Sequence, residues 1–190
     1  MAENKVRFNL KNVHYALLTE TVNTSGQTVY SWGTPKAVKG AVSLDLSQEG
    51  EVSPFYADGI VFYRSISNNG YSGSLEMARF SDEMMKDVWG DTLGTTSKVL
   101  TENANTNAKA FALLFEVDGD ADEEYYCLYN VKGTRPNIGS QTNEESKDPQ
   151  TQSSDITAIP LADGRILART TANTPTATKT AWWTTVFQES

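Results

Sequence analysis

Residues 38–47 read Val-Lys-Gly-Ala-Val-Ser-Leu-Asp-Leu-Ser, and apolar and polar side chains alternate along this stretch. Val42, Leu44 and Leu46 share one parity, whereas polar residues stand between them. Successive side chains of a β-strand point to opposite faces of the sheet. The pattern therefore predicts a half-buried antiparallel strand, with one face against a core and the other in water.

The same two-residue period recurs along the chain, whereas the helical period is rare. It predicts further short strands at residues 13–19, 28–32, 60–66, 71–79, 111–117, 125–131, 156–160, 165–170 and 182–187. Asn69-Gly70 supplies the positive φ angles of a tight turn, so we expect residues 60–66 and 71–79 to form a hairpin. Turn residues also predict the hairpins 13–19 with 28–32, 111–117 with 125–131 and 156–160 with 165–170.

One helix is expected at about residues 81–90. Ser81 is its predicted N-cap, two acids follow in the first turn, and Gly90 stands where a helix often ends. Met84, Val88 and Trp89 form the apolar stripe of this helix. The fold class is therefore mainly β, a sandwich or barrel of two antiparallel sheets with one flanking α-helix, in a single domain over residues 1–190.

The composition excludes several classes of protein. The net charge of −8 argues against binding to nucleic-acid phosphates, which needs clustered lysines and arginines. A single cysteine, Cys127, allows no internal disulfide framework and fits folding in a reducing cytoplasm. No apolar stretch predicts a secretory signal or a membrane span, so we expect a soluble protein that is not exported.

Three segments lack a strand or helix pattern, at residues 48–59, 91–108 and 134–149, and the last of these carries Glu144, Glu145, Lys147 and Asp148. Loops of this length in a compact domain are uncommon unless they have a function. The first segment contains Pro54, Phe55 and Tyr56, and the strand after it is apolar on both faces. Such a strand is either central in the fold or buried in a partner. For the second case the candidate inter-subunit contact consists of Pro54, Phe55, Tyr56, Ile60 and Phe62.

Residues that carry chemistry are sparse. His14 is the sole histidine and lies within a predicted strand, and zinc binding needs clustered histidines and cysteines. Residues 118–122 match the first ligands of an EF-hand loop, but Glu123 replaces its glycine and Tyr129 replaces its bidentate glutamate. The segment therefore predicts a solvated acidic hairpin tip. The sequence predicts no enzyme, no metal site and no cofactor.

Short motifs in a fixed order over nearly the whole chain carry a family resemblance. They are Leu10-Lys11-Asn12-Val13-His14-Tyr15-Ala16, Ala41-Val42-Ser43-Leu44, Pro54-Phe55-Tyr56-Ala57-Asp58, Asn69-Gly70-Tyr71-Ser72-Gly73, Phe111-Ala112-Leu113-Leu114-Phe115-Glu116, Leu128-Tyr129-Asn130, Thr134-Arg135-Pro136 and Asp163-Gly164-Arg165. In this ordered set the chain resembles the major tail proteins, or tail-tube proteins, of bacteriophages and prophages with long non-contractile tails.

The resemblance implies a structural role. Subunits of that family form hexameric rings that stack into a hollow tube, and DNA passes through the tube without specific binding. It also implies a place in the virion tail, assembly in the host cytoplasm, and contacts with tape-measure, tail-tip and tail-terminator proteins. The predicted acidic tip is then a candidate lining of the lumen or an outward-facing hairpin, with Asp118, Asp120, Asp122, Glu123 and Glu124 as its residues.

Two alternatives remain open at this stage. A β-sandwich that binds carbohydrates or receptors could stack sugars on Trp32, Trp182 or Trp183. A jelly-roll enzyme would need two close carboxyl groups whose pKa values are shifted in opposite directions.

Overall fold

The computed structural model describes residues 3–142 and 149–189 of the chain, so Glu144, Glu145, Lys147 and Asp148 lie outside the described residues. The strands are β1 (Arg7–Val22), β2 (Thr28–Trp32), β3 (Lys36–Ala37), β4 (Ala41–Glu49), β5 (Val52–Ala57), β6 (Ile60–Ile66), β7 (Gly70–Met77), β8 (Thr92–Leu93), β9 (Leu100–Thr101), β10 (Phe111–Gly119), β11 (Glu123–Gly133), β12 (Gln152–Ala158) and β13 (Leu167–Arg169). The helices are α1 (Asp82–Trp89) and α2 (Thr176–Ala181).

The main sheet runs in the order β2-β1-β10-β11-β12-β7-β4, with β3 added to β1 and β13 added to β11. All of its pairings are antiparallel. The fold is therefore mainly β with antiparallel sheets and a small flanking helix, consistent with a β-sandwich, as the alternation predicts. Strand β4 also contacts β1, with which it does not pair.

Strand β10 is an interior strand of the main sheet, between β1 and β11, and both of its faces are apolar. Phe111, Leu113 and Phe115 belong to a first buried cluster, whereas Ala112 and Leu114 belong to a second. Each of the five side chains is at most 6% exposed. Because alternate residues of a strand point to opposite faces, this run places one core on each side of the sheet.

Helix α1 covers the first cluster and agrees with the prediction. The Ser81 hydroxyl accepts a hydrogen bond from the Met84 amide at 3.2 Å, and Gly90 ends the helix with φ of 73°. The buried Tyr15 hydroxyl donates a hydrogen bond of 2.9 Å to Asp87, which ties the helix to β1. Capping and this polar contact fix the position of α1 on the sheet.

The C-terminal segment covers the second cluster, and here the predicted strand at residues 182–187 is wrong. The segment continues from α2 as a series of turns. Trp182 and Val186 are buried, at 3% and 7% exposure. Their spacing of four residues suits a helical turn, because such residues lie on one face of it. A two-residue period over six residues is too short to exclude a helical turn.

The predicted hairpin at Asn69-Gly70 is also wrong. Strand β6 pairs with β5 through the turn Asp58-Gly59, whose φ angles are 53° and 78°, as a tight two-residue turn requires. Gly70 has φ of 110°, and a Cβ there would lie 1.9 Å from the Ala158 carbonyl oxygen. The glycine therefore serves a close approach between β7 and the end of β12.

Other boundaries differ in detail. Residues 48–59 contain β5, and residues 91–108 contain the short pair β8 and β9, so neither segment is wholly irregular. The turn at Asp163-Gly164 is present, but β12 and β13 each pair with β11 and not with one another. The hairpins β1–β2 and β10–β11 agree with the prediction.

Most of the alternating stretch at residues 38–47 lies in β4, and Leu44 and Leu46 are half-buried against the first cluster. Val42 is 47% exposed, although its parity predicts burial. A register shift between Ala41 and Ser43 explains the difference, because an irregularity in the ladder turns a side chain away from its face.

Candidate functional site

Strands β5 and β6 form a two-stranded arm, which we define as residues 51–67. The arm continues the β4–β7 ladder: Glu49 pairs with Gly70 at the end of that ladder, and Val52 pairs with Ile66 just beyond it. The Ser67 amide bonds to the Glu51 carbonyl at 3.0 Å and bridges the two ladders. The arm therefore extends the edge of the main sheet and, among the described residues, pairs with no third strand.

The large apolar side chains of the arm are exposed. Their exposed fractions are Val52 52%, Phe55 60%, Tyr56 63%, Ile60 64%, Val61 41%, Phe62 72%, Tyr63 64% and Ile66 73%. Exposed apolar surface of this extent on a protein is typical of an interaction site. A strand that is apolar on both faces is buried when it lies inside a fold. The side chains of the arm are exposed instead.

Both faces of the arm are apolar. Residues directly opposite in an antiparallel pair lie on the same face. Phe55 and Tyr63 are one such pair, and Val52 and Ile66 are another that falls on the opposite face. The structure thus brings the five residues of the predicted inter-subunit contact together on one hairpin. The predicted set did not include Val52, Val61, Tyr63 and Ile66. Val52 was missed because residues 48–59 were assigned to a loop, whereas the other three lie in the strand predicted at residues 60–66.

The predicted acidic hairpin tip is held by the N-terminal segment. The side-chain oxygen of Asn4 accepts hydrogen bonds from the amides of Ala121 and Asp122, at 3.0 and 2.8 Å. Its amide group donates to the Asp122 carbonyl and to Glu124. The Asp120 carboxylate accepts a hydrogen bond of 2.7 Å from the Lys5 amide. The tip is therefore a braced turn.

Lys11 neutralises part of the acidic hairpin. Its ammonium nitrogen lies 2.9 Å from Glu116, 2.7 Å from Asp118 and 3.6 Å from Glu123. Hydrogen bonds to Asp118 and Glu116 raise the pKa of Lys11, and the contact with Lys11 lowers the pKa of Asp118. The three carboxylates converge within 4.8 Å, as in a metal site, but the ammonium group already supplies the positive charge among them.

Two other acids of the tip, Asp122 and Glu124, also form ion pairs. Lys179 of α2 forms an ion pair with Asp122, and Arg7 lies 3.0 Å from Glu124. Burial alone raises the pKa of Glu124, but hydrogen bonds from Tyr126 and Asn4 outweigh it and leave that pKa below its ordinary value. Part of the negative charge of the acidic hairpin tip is thus compensated locally, whereas the net charge of the chain stays at −8.

The described residues offer little that resembles a catalytic centre. The side-chain nitrogen of His14 contacts the Asn12 carbonyl at 2.8 Å, and its ring packs on Trp183. Cys127 is fully buried, and burial raises the pKa of its thiol to about 12. The described carboxyl groups with a shifted pKa are all lowered, so none forms an opposed acid–base pair; they are Glu76, Asp87, Asp118, Glu124 and Asp163.

The three tryptophans considered for sugar stacking lie in packed positions. Trp182 is buried and stacks on Phe187, with ring centroids 5.5 Å apart. Trp183 packs against His14, and Trp32 donates a hydrogen bond of 3.0 Å to the Tyr129 carbonyl. A flat exposed aromatic platform is not formed by these three side chains.

Among the described parts of the chain, no helix has the length and apolar character that crossing a bilayer requires.

No protein-family model matches the sequence, and no curated protein sequence matches it. Among solved structures, the chain is similar to the anti-feeding prophage cap, described as the AFP tube terminating cap, with a TM-score of 0.43 and 10% identity. The similarity covers 90% of this chain and 97% of that chain.

Proposed function

We propose that this chain is a structural subunit of a phage tail tube, in which copies of itself form stacked hexameric rings around a conduit for DNA. The observation that carries the proposal is the arm, whose apolar side chains are exposed on both faces. The ordered sequence motifs supply the identity of the assembly, and the ring size follows from that resemblance alone. The chain would then be located in the virion tail after assembly in the host cytoplasm.

The energetics of the arm favour a permanent contact over a transient one. Covering a large apolar side chain that is otherwise exposed contributes about 1.5–3 kcal/mol. The arm presents several such side chains on a single hairpin, and permanent interfaces are rich in apolar surface of this kind. A partner that covers both faces of the arm would gain enough to offset the entropy lost on association. A copy of the same chain is the partner that the sequence resemblance favours.

The acidic hairpin has a more limited role in this proposal. If the tip of the β10–β11 hairpin lines the lumen, its carboxylates repel DNA phosphates over a distance of about 8 Å in physiological salt. Pairing with Lys11, Arg7 and Lys179 weakens that repulsion. Labelling an Asp120→Cys variant with a bulky maleimide before and after assembly separates the two orientations, since a lumenal tip loses its reactivity and an outward tip keeps it.

The same proposal includes partners at the two ends of the tube. A tape-measure protein would occupy the lumen during assembly, and tail-tip and tail-terminator proteins would bind the first and last rings. These partners come from the sequence resemblance. The conduit itself would require no cofactor and no chemical step by the subunit.

The proposal is tested by removing the apolar surface of the arm. A double substitution, Phe55→Ser with Tyr56→Ser, is expected to leave a folded subunit that no longer assembles, because both side chains are more than half exposed in the subunit. Electron microscopy of concentrated protein would show tubes or rings for the unchanged chain and single particles for the variant.

A matched control keeps this test specific. Val22→Ser with Val29→Ser alters two exposed apolar residues of the β1–β2 hairpin, at 70% and 44% exposure, and should assemble normally. Tubes formed by the Phe55→Ser, Tyr56→Ser variant would refute the role of the arm. A monomer that binds glycans and never assembles would instead favour a carbohydrate-binding module.

A further inference from the structure

A second apolar feature lies at the seam where β4 approaches β1 without pairing to it. A groove of about 350 Å³ opens there between residues 10–14 of β1 and residues 37–41, which join β3 to β4. Val13 and Val38 lie buried beneath it, and Leu10 and Ala41 are half-buried at its sides. The groove therefore presents Leu10 and Ala41 at the surface beside the first core cluster, and it has room for an aromatic side chain.

The groove and the arm lie at opposite ends of the same strand. Strand β4 begins at Ala41 beside the groove and ends at Glu49, where the arm begins. Nine residues at about 3.3 Å each place these two features about 30 Å apart along the strand. Two different surfaces at opposite ends of a subunit are what a head-to-tail contact requires, and such contacts close into rings or extend as filaments according to the rotation between copies.

Charge favours the same pairing. The turn at the tip of the arm carries Asp58, and the rim of the groove carries Lys39. Within residues 3–142 and 149–189, neither side chain has an ion-pair partner in the subunit. Opposite unpaired charges beside two apolar surfaces give the complementarity that fixes the register of an interface.

We infer that the arm of one copy docks in the β1–β4 groove of the next copy, with Tyr56 and its cross-strand partner Val61 against Leu10 and Ala41 and with Asp58 beside Lys39. This inference rests on the proposed self-assembly and specifies where the arm binds.

Cysteine cross-linking in the full chain tests the contact directly. The variant with both Asp58→Cys and Lys39→Cys is expected to give a ladder of disulfide-linked oligomers on a non-reducing gel after mild oxidation. The matched control carries Ser25→Cys with Lys39→Cys, and it places the first cysteine at the exposed tip of the β1–β2 hairpin. Cys127 is buried in every variant.

A charge exchange distinguishes failure of this contact from failure of self-assembly. Asp58→Lys and Lys39→Asp should each raise the concentration needed for assembly severalfold, and the double exchange should restore it. The unchanged chain could assemble while the variant with Asp58→Cys and Lys39→Cys gives no ladder, or while the Ser25→Cys control gives an equal ladder. Either result would overturn the groove as the docking site and leave the tube proposal standing. Failure of the unchanged chain to assemble at any concentration would overturn both.

Discussion

Phe62 allows the energetic basis of assembly to be tested with a single substitution. Its side chain is 72% exposed in the subunit, so Phe62→Ala removes few contacts within the fold. Exposed substitutions of this kind change the free energy of unfolding by about 0.5 kcal/mol or less. If the arm is buried in the assembly, the same substitution removes contacts made only between subunits.

The expected loss can be worked from the exposed fraction. Full burial of a phenylalanine side chain contributes about 1.5–3 kcal/mol. The exposed share of Phe62 leaves about 1–2 kcal/mol to be gained from a partner. Since 1.4 kcal/mol corresponds to a tenfold change in an equilibrium constant, each contact should weaken by a factor of about 5–30. The concentration at which assembly begins should rise by at least this factor.

Pelleting of assembled protein over a dilution series measures that concentration, and urea unfolding of the unassembled subunit measures stability. Ile138→Ala is the control, because Ile138 is 93% exposed and lies outside the arm. The argument is refuted if Phe62→Ala and Ile138→Ala assemble at the same concentration. It is equally refuted if Phe62→Ala unfolds at markedly lower urea, since the side chain would then stabilise the subunit itself.

Two further predictions concern the fold. Lys11→Met should lower the free energy of unfolding at neutral pH, as measured by urea unfolding. The difference in that free energy between the variant and the unchanged chain should shrink below about pH 4. Lys11 lowers the folded-state pKa of Asp118, so the stabilisation exists above the ordinary aspartate pKa and is lost on acidification. An unchanged difference across this range would contradict the ion-pair argument. Gly73→Ala should abolish soluble expression, because a Cβ there would lie 1.8 Å from the Asp45 carbonyl oxygen. The control Gly26→Ala has open space around the Cβ but φ of 76°, so it should lower the free energy of unfolding by only about 1–2 kcal/mol. Equal yields of the two variants would refute the close-approach argument.

Local patterns predicted those elements whose identity depends on their own residues. The N-cap at Ser81 and the glycine at Gly90 defined α1, and alternation defined the central strands. Pairing was harder to predict, since Asn69-Gly70 and Asp58-Gly59 are both suitable for a two-residue turn. The choice between them depends on which strand reaches the end of β12, and that is a long-range contact.

The candidate site was predicted in part for a similar reason. Phe55 and Tyr56 stood out because aromatic residues are unusual in a loop, and the structure places them on an arm. Their exposure could not be read from the sequence, since an apolar strand is equally consistent with a central position in the fold. The groove could not be predicted either, because β1 and β4 meet there only in the folded chain.

The central claim is that this chain assembles with copies of itself through the arm. Electron microscopy and light scattering of the purified, concentrated protein, with hydrogen exchange on the same sample, test it most directly. The account predicts rings or tubes with an open bore, in which the amides of residues 51–67 are protected relative to dilute protein. Particles that remain monomeric at high concentration, with the arm unprotected, would contradict it.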